Sequence, residues 1–174
     1  MKRSELKRRV KTPEEKAKTK ALGKNKPKPV KSFKAIQNAE ARGEKLTIRQ
    51  LHELCHHEWS TIIKGRKDWL CEWCGREAVN AHHMIAKAQG NKWKYVFWNG
   101  VSLCWKCHNE FHFKNSRTGW LLFEEQRPED LAELDSLLRD TTKYTNEDLE
   151  VILKALRIES EPYQKELQYR RDAA

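Results

Sequence analysis

Two Cys-x-x-Cys pairs, Cys71/Cys74 and Cys104/Cys107, constrain this 174-residue chain more than any other feature. Two residues between cysteines let one turn present both thiolates to a single ion, and two such turns complete a tetrahedral four-sulfur zinc site. The first pair reads Cys71-Glu72-Trp73-Cys74-Gly75, with the glycine that such a knuckle needs. The 29 residues between the pairs exceed the roughly 15–20 of an ordinary zinc ribbon, so the clamp must enclose an insertion. A redox role is the rival for either pair alone, and the presence of two pairs argues against it. Four of five cysteines used in this way fit a reducing compartment better than a disulfide framework, which points to the cytoplasm or the nucleoid within it.

The insertion and the residues just beyond it carry the remaining chemistry: His82-His83, Asn99, His108 and His112. Short β-type runs over 78–85, 95–98 and 101–103 lead into a short helix over 105–113, so the spacing predicts a β-hairpin followed by a helix. On that helix His108 and His112 stand four apart and share a face. His82 and His83 are neighbours on a strand and point to opposite faces. They cannot readily ligate one ion together, so one binds metal and the other serves as a base.

The ordered set AHHMI (81–85), Asn99 and LCWKCHNEFH (103–112) resembles the HNH nuclease motif. The likeness covers about residues 67–113, under a third of the chain. It implies a ββα-metal fold, with His83 as general base and His82, His108 and His112 as ligands of a catalytic divalent ion (Mg, Mn, Ni, Co or Zn). It assigns Asn99 to bracing the loop and the catalytic histidine, and Cys71, Cys74, Cys104 and Cys107 to a structural zinc. It implies phosphodiester hydrolysis of DNA leaving 5′-phosphate and 3′-hydroxyl ends. A neutral imidazole near pH 7 is suited to taking a proton from water.

Charge divides the chain into unlike parts. Residues 1–31 hold 13 basic and 3 acidic side chains; 32–119 carry a net +6 and 120–174 a net −6. The whole formal charge of +10 thus equals that of the first 31 residues. That segment, rich in lysine and poor in large apolar groups, is expected to be a disordered arm that holds a polyanion. It opens MKRSELKRRVK, without the apolar core of a secretory leader. Apolar runs of four residues exclude a membrane span. Lys87, Lys92, Lys94, Lys114 and Arg117 flank the proposed centre and are candidates for phosphate contact. The tryptophans are expected to be mostly core; Trp93, between two lysines, is the one candidate among them for touching a base or sugar.

Helices frame the centre. One is expected over 32–44, fraying at Gly43. A second is capped by a Thr47/Gln50 capping box, carries an apolar stripe of Ile48, Leu51, Cys55, Trp59 and Ile62, and ends at Gly65. Beyond Gly119 the pattern is helical: Pro128 precedes Leu131, Leu134 and Leu138, Thr145 caps a stripe of Leu149, Ile152, Leu153 and Leu156, and Pro162 is expected to open a last helix. The fold class is therefore α+β, a small ββα-metal module over 67–119 stapled by zinc, framed by helices over 32–66 and 120–174.

His52-Glu53-Leu54-Cys55-His56 also satisfies the HExxH pattern of zinc proteases. No third ligand is evident near it, and a structural or DNA-facing helix is the preferred reading. Two further alternatives remain at this point. The layout is loosely similar to phage NinG recombination nucleases, which act on branched DNA and would place the protein in host cytoplasm. A non-catalytic zinc module that binds nucleic acid would keep the cysteines and the arm but need no His83. Whether the DNA partner is duplex or branched stays open, as does the oligomeric state. One such centre cuts one strand, so double-strand cleavage calls for a homodimer or two events.

Overall fold

A computed structural model describes residues 32–114, 116–137 and 143–172. The basic arm expected over 1–31, and Leu138, lie outside the described residues. Six α-helices and one two-stranded antiparallel sheet make up the described part, in the order α1 (Phe33–Ala41), α2 (Ile48–Gly65), β1 (Asn80–His83), β2 (Gly100–Leu103), α3 (Trp105–Phe113), α4 (Ser116–Gln126), α5 (Pro128–Leu137) and α6 (Asn146–Asp172). Among the described residues no helix is long and apolar enough to cross a membrane.

The helical frame forms for the local reasons its sequence advertises. Gly43 turns the chain out of α1 at φ +71°, a conformation glycine adopts without a Cβ clash. Thr47 and Gln50 close the capping box on α2 in both directions, the Thr47 N–H donating to Gln50 Oε1 at 2.9 Å. Leu51, Cys55, Trp59 and Ile62 are buried as their spacing requires, whereas Ile48 at the head of the stripe is 44% exposed.

Two expectations need correction. Residues 95–98 form no strand: the chain passes through three short 3-10 turns (Lys87–Gln89, Lys92–Lys94, Phe97–Asn99) between β1 and β2. Their backbone is held by side chains such as Asn99 instead of by a partner strand. Pro162 does not open a new helix but lies inside α6. It removes the hydrogen bond to the Ile158 carbonyl.

The sheet separates two apolar clusters. On one side Ile36 of α1 packs with Leu51, Leu54, Cys55, Trp59 and Ile62 of α2, and with Leu149, Leu153 and Leu156 of α6. On the other, Cys71, Val101, Leu103, Cys107 and Phe111 join Phe123 of α4 and Leu134 of α5. β1 alternates between these clusters, which is why its two adjacent histidines end up in different surroundings.

Candidate active site and metal centres

The zinc clamp is built from a knuckle and a helix start. The Cys71 N–H donates to the Arg76 carbonyl at 2.7 Å and the Gly75 N–H to the Cys71 carbonyl at 2.8 Å, with Gly75 at φ +69°. Glu72 ties this knuckle to β2: its N–H donates to the Ser102 carbonyl at 2.9 Å and its Oε1 accepts from the Ser102 N–H at 2.8 Å. Cys104 caps α3, so Cys107 lies one turn on and its thiol points back to the same spot. The four sulfurs all lie within 4.8 Å of one another, Cys74 and Cys104 at 3.6 Å. Tetrahedral zinc with bonds of about 2.3 Å needs sulfurs roughly 3.8 Å apart. The site has the donor set and spacing of a structural zinc centre. Arg76, whose Nε donates to Cys74 Sγ at 3.4 Å, holds that thiol down to about 6, while burial pushes Cys107 up.

A second cluster forms on the β1 face that looks towards α3. His82, His108 and His112 offer ring nitrogens that lie within 4.8 Å of one another. The His82 ring packs edge-on against both partners, at 5.2 Å and 4.8 Å between centroids, and against Phe111 at 4.3 Å. His82 Nε2 and His108 Nδ1 are buried and, among the described residues, have no hydrogen-bond partner. Buried polar groups are normally paired; two convergent lone pairs without donors suit a metal ion. Burial, then the neighbouring imidazoles, pushes His82 down to about 3, so the ring is neutral and able to ligate.

His83 faces the opposite way. Its ring stacks on the Trp59 indole with centroids 3.8 Å apart and planes at 18°. Its Nε2 lies 2.8 Å from the Lys94 carbonyl, which only accepts; this nitrogen therefore carries the proton and Nδ1 keeps the lone pair. Burial outweighs that hydrogen bond and lowers His83 to about 3. Gly100 stands opposite His83 in the sheet register. A Cβ there would come within 2.8 Å of Trp59 and closer still to Ile63, so only glycine lets α2 approach this far. A cavity of about 340 Å³ joins the two faces and is lined by His82, His83, His108, His112, Lys87 and His56.

Residues 71–114 match the HNH endonuclease family model. No curated protein and no solved structure matches the chain, and the likeness to phage NinG nucleases is not shown. The HNH match begins at Cys71 and takes in the clamp, the histidine cluster and His83, while α1, α2 and α4–α6 lie outside it.

Within the HNH module Asn99 is fully buried and spends its amide on backbone. Oδ1 accepts from the Ile85 N–H at 2.7 Å, and Nδ2 donates to the carbonyls of Ile85 at 3.0 Å and Trp93 at 2.9 Å. It thereby pins both ends of the loop that delivers the Lys94 carbonyl to His83. Its side-chain amide is thus committed to backbone and closed off from solvent.

The flanking cations are not gathered around one point. Lys87 lines the histidine-rich cavity, whereas Lys92 borders a groove with Tyr95 and Tyr144 on another side. Lys94 is half-buried, and Lys114 and Arg117 are exposed on α3's end and α4. Trp93 joins the core tryptophans: it is 2% exposed and its Nε1 donates to the Ala86 carbonyl at 3.2 Å, which removes it as a candidate for base or sugar contact. The exposed tryptophan is Trp105, at 66%, beside Phe113 at 80% on α3.

The HExxH pair does not converge. His52 Nδ1 meets the Tyr95 hydroxyl at 2.5 Å and Glu53 is exposed, while His56 turns to the HNH cavity. Among the described residues, clusters with metal-ligand spacing are limited to the four cysteines and the three histidines. Cys55 is buried and pushed up to about 12, which makes it an inert core thiol. Sequence reasoning missed the contribution of α2. The i, i+3 pair His56/Trp59 was its available signal, masked by the HExxH pattern.

Proposed function

We propose that this protein is a metal-dependent HNH endonuclease that hydrolyses a phosphodiester bond of DNA. The observation that carries the reading is the juxtaposition on β1: a three-imidazole cluster with orphaned ring nitrogens on one face, and a stacked, hydrogen-bonded imidazole with a free Nδ1 on the other.

His82, His108 and His112 would hold a divalent ion, and their all-nitrogen donor set favours Zn, Ni, Co or Mn over Mg. Such an ion, when bound, stabilises charge developing on the phosphate and the leaving 3′-oxygen. His83 takes a proton from the attacking water at Nδ1 while Nε2–H stays anchored on the Lys94 carbonyl. Lys87 faces the same cavity and offers a phosphate contact. Lys92, Lys94, Lys114 and Arg117 would serve as more distant backbone contacts, and the arm over 1–31 as a sequence-independent, salt-sensitive tether. Inheriting the family outcome, the products carry 5′-phosphate and 3′-hydroxyl ends.

Nicking of supercoiled plasmid with each of these metals in turn, followed by ligation of the nick, tests the reading. Open-circle product that ligase reseals directly supports it. Intact plasmid under every metal overturns it and leaves the non-catalytic zinc module.

A further inference from the structure

Helix α2 lies outside residues 71–114, yet it brings a fifth imidazole to the cavity. His56 precedes Trp59 by three residues, so both project from the same face of α2. The His56 ring centroid lies 5.6 Å from that of His83 and 5.7 Å from that of Trp59. The ring is half-buried, and among the described residues no protein hydrogen bond engages either of its nitrogens. His52, one turn earlier, is by contrast taken up by Tyr95. This partly buried imidazole, at the wall of a cavity that also holds Lys87, has a ring N–H available to an acceptor that enters the cavity.

We propose that His56 is a further catalytic residue of this site, donating a hydrogen bond from its ring N–H to a non-bridging oxygen of the scissile phosphate. The proposal rests on the nuclease reading above. The groups around it set the division of labour. Lys87, Lys64 and His57 are its cationic or titratable neighbours, and together with burial, the larger cause, they hold His56 down to about 4. The ring is therefore one donor and one acceptor without net charge. Lys87 supplies positive charge to the phosphate, and His56, fixed on a helix instead of a flexible stem, supplies direction. A preorganised donor of this kind acts on charge as it develops in the transition state.

Single-turnover plasmid nicking by the full-length, metal-loaded protein tests this, comparing wild type with His56→Gln and His56→Phe. Glutamine keeps a donor and loses the ring; phenylalanine keeps a stacking ring and loses the donor. His56→Phe is expected to lose about 100- to 1000-fold in the rate constant, with unchanged cobalt absorption at the histidine cluster and an unchanged melting temperature. His56→Gln is expected to stay within about ten-fold of wild type, the remaining part of the same donor effect. Equal rates for wild type and His56→Phe overturn the proposal while leaving the nuclease reading intact. So does a pattern in which glutamine is the worse variant, since the ring would then be filling space against His83. Wild type that nicks under none of the metals overturns both.

Discussion

The His83 imidazole lies flat on the Trp59 indole, 3.8 Å between centroids and 18° between planes, across the boundary between the HNH module and the helical frame. Trp59 is itself fixed, fully buried with its Nε1 donating to the Val96 carbonyl at 3.0 Å. Stacking sets the plane of the His83 ring, and the Lys94 carbonyl sets its rotation within that plane. Replacing Trp59 by Leu should cost about 2–4 kcal/mol of stability through the cavity it leaves. It should also lower the nicking rate, because His83 loses its platform. Urea denaturation and nicking rates at matched folded fraction separate the two effects; a variant that is less stable but equally fast per folded molecule would remove Trp59 from the positioning role.

Loss of an imidazole from the second cluster should act on metal and spare the clamp. His108→Ala is expected to weaken cobalt or nickel binding by more than about 100-fold, the upper end of what even outer-shell losses produce. Metal analysis should still return one zinc per chain, held by Cys71, Cys74, Cys104 and Cys107. Loss of that zinc as well would mean that the two centres are not independent.

Zinc removal should loosen the molecule unevenly. Structural zinc contributes on the order of 10–16 kcal/mol of apparent binding energy in small modules. The cluster around Cys71, Val101, Leu103 and Phe111 depends on it, whereas the α1–α2–α6 cluster contains no metal ligand. A strong chelator is therefore expected to expose residues 67–126 to protease first while the α2–α6 pair resists. Simultaneous cleavage across both clusters would contradict this.

Acid should destabilise the fold in two stages. Burial holds His56 at about 4 and both His82 and His83 at about 3, against about 6.5 for an unfolded imidazole. Below about 6.5 the unfolded chain binds protons that the folded one refuses, so this stability is complete above that pH and lost as pH falls through about 4 for His56 and about 3 for His82 and His83. The slope is at most about 1.4 kcal/mol per pH unit for each ring. Glu58, between α2 and α6, adds the second stage. Burial raises its carboxyl, but the nearby His57 ring (Nδ1 3.8 Å from Oε1), the hydrogen bond from the Ser160 hydroxyl at 2.6 Å and the Arg157 charge outweigh this and leave it below the usual carboxylate range. Its contribution is present above the ordinary glutamate value and disappears as pH falls below it. Melting temperature followed from pH 8 to 3 should decline from about 6.5 and steepen below about 4.5.

Most of the centre was legible because its residues are fixed by short-range rules. Cysteine spacing specified the clamp, i, i+4 spacing put His108 and His112 on one face of α3, and strand alternation sent His82 and His83 apart. The capping box of α2 and the bounds of α3 are likewise local. What was not legible depends on distant contacts. Residues 95–98 have a β-type composition, yet Asn99 claims the neighbouring backbone and the segment curls into 3-10 turns. Trp93 has lysine neighbours that leave a base or sugar contact open, and the loop folds it into the core. The i, i+3 spacing puts His56 and Trp59 on one face of α2, but their placement against His83 follows from α2 packing over Gly100.

The central claim is that His83 is the base beside an ion held by His82, His108 and His112. It is tested most directly by single-turnover plasmid nicking with wild type and His83→Ala, both shown by metal analysis to carry the same ions. Wild type is expected to nick and His83→Ala to be slower by about 100- to 10,000-fold, the usual contribution of a positioned base. Equal rates at equal metal occupancy would contradict the account.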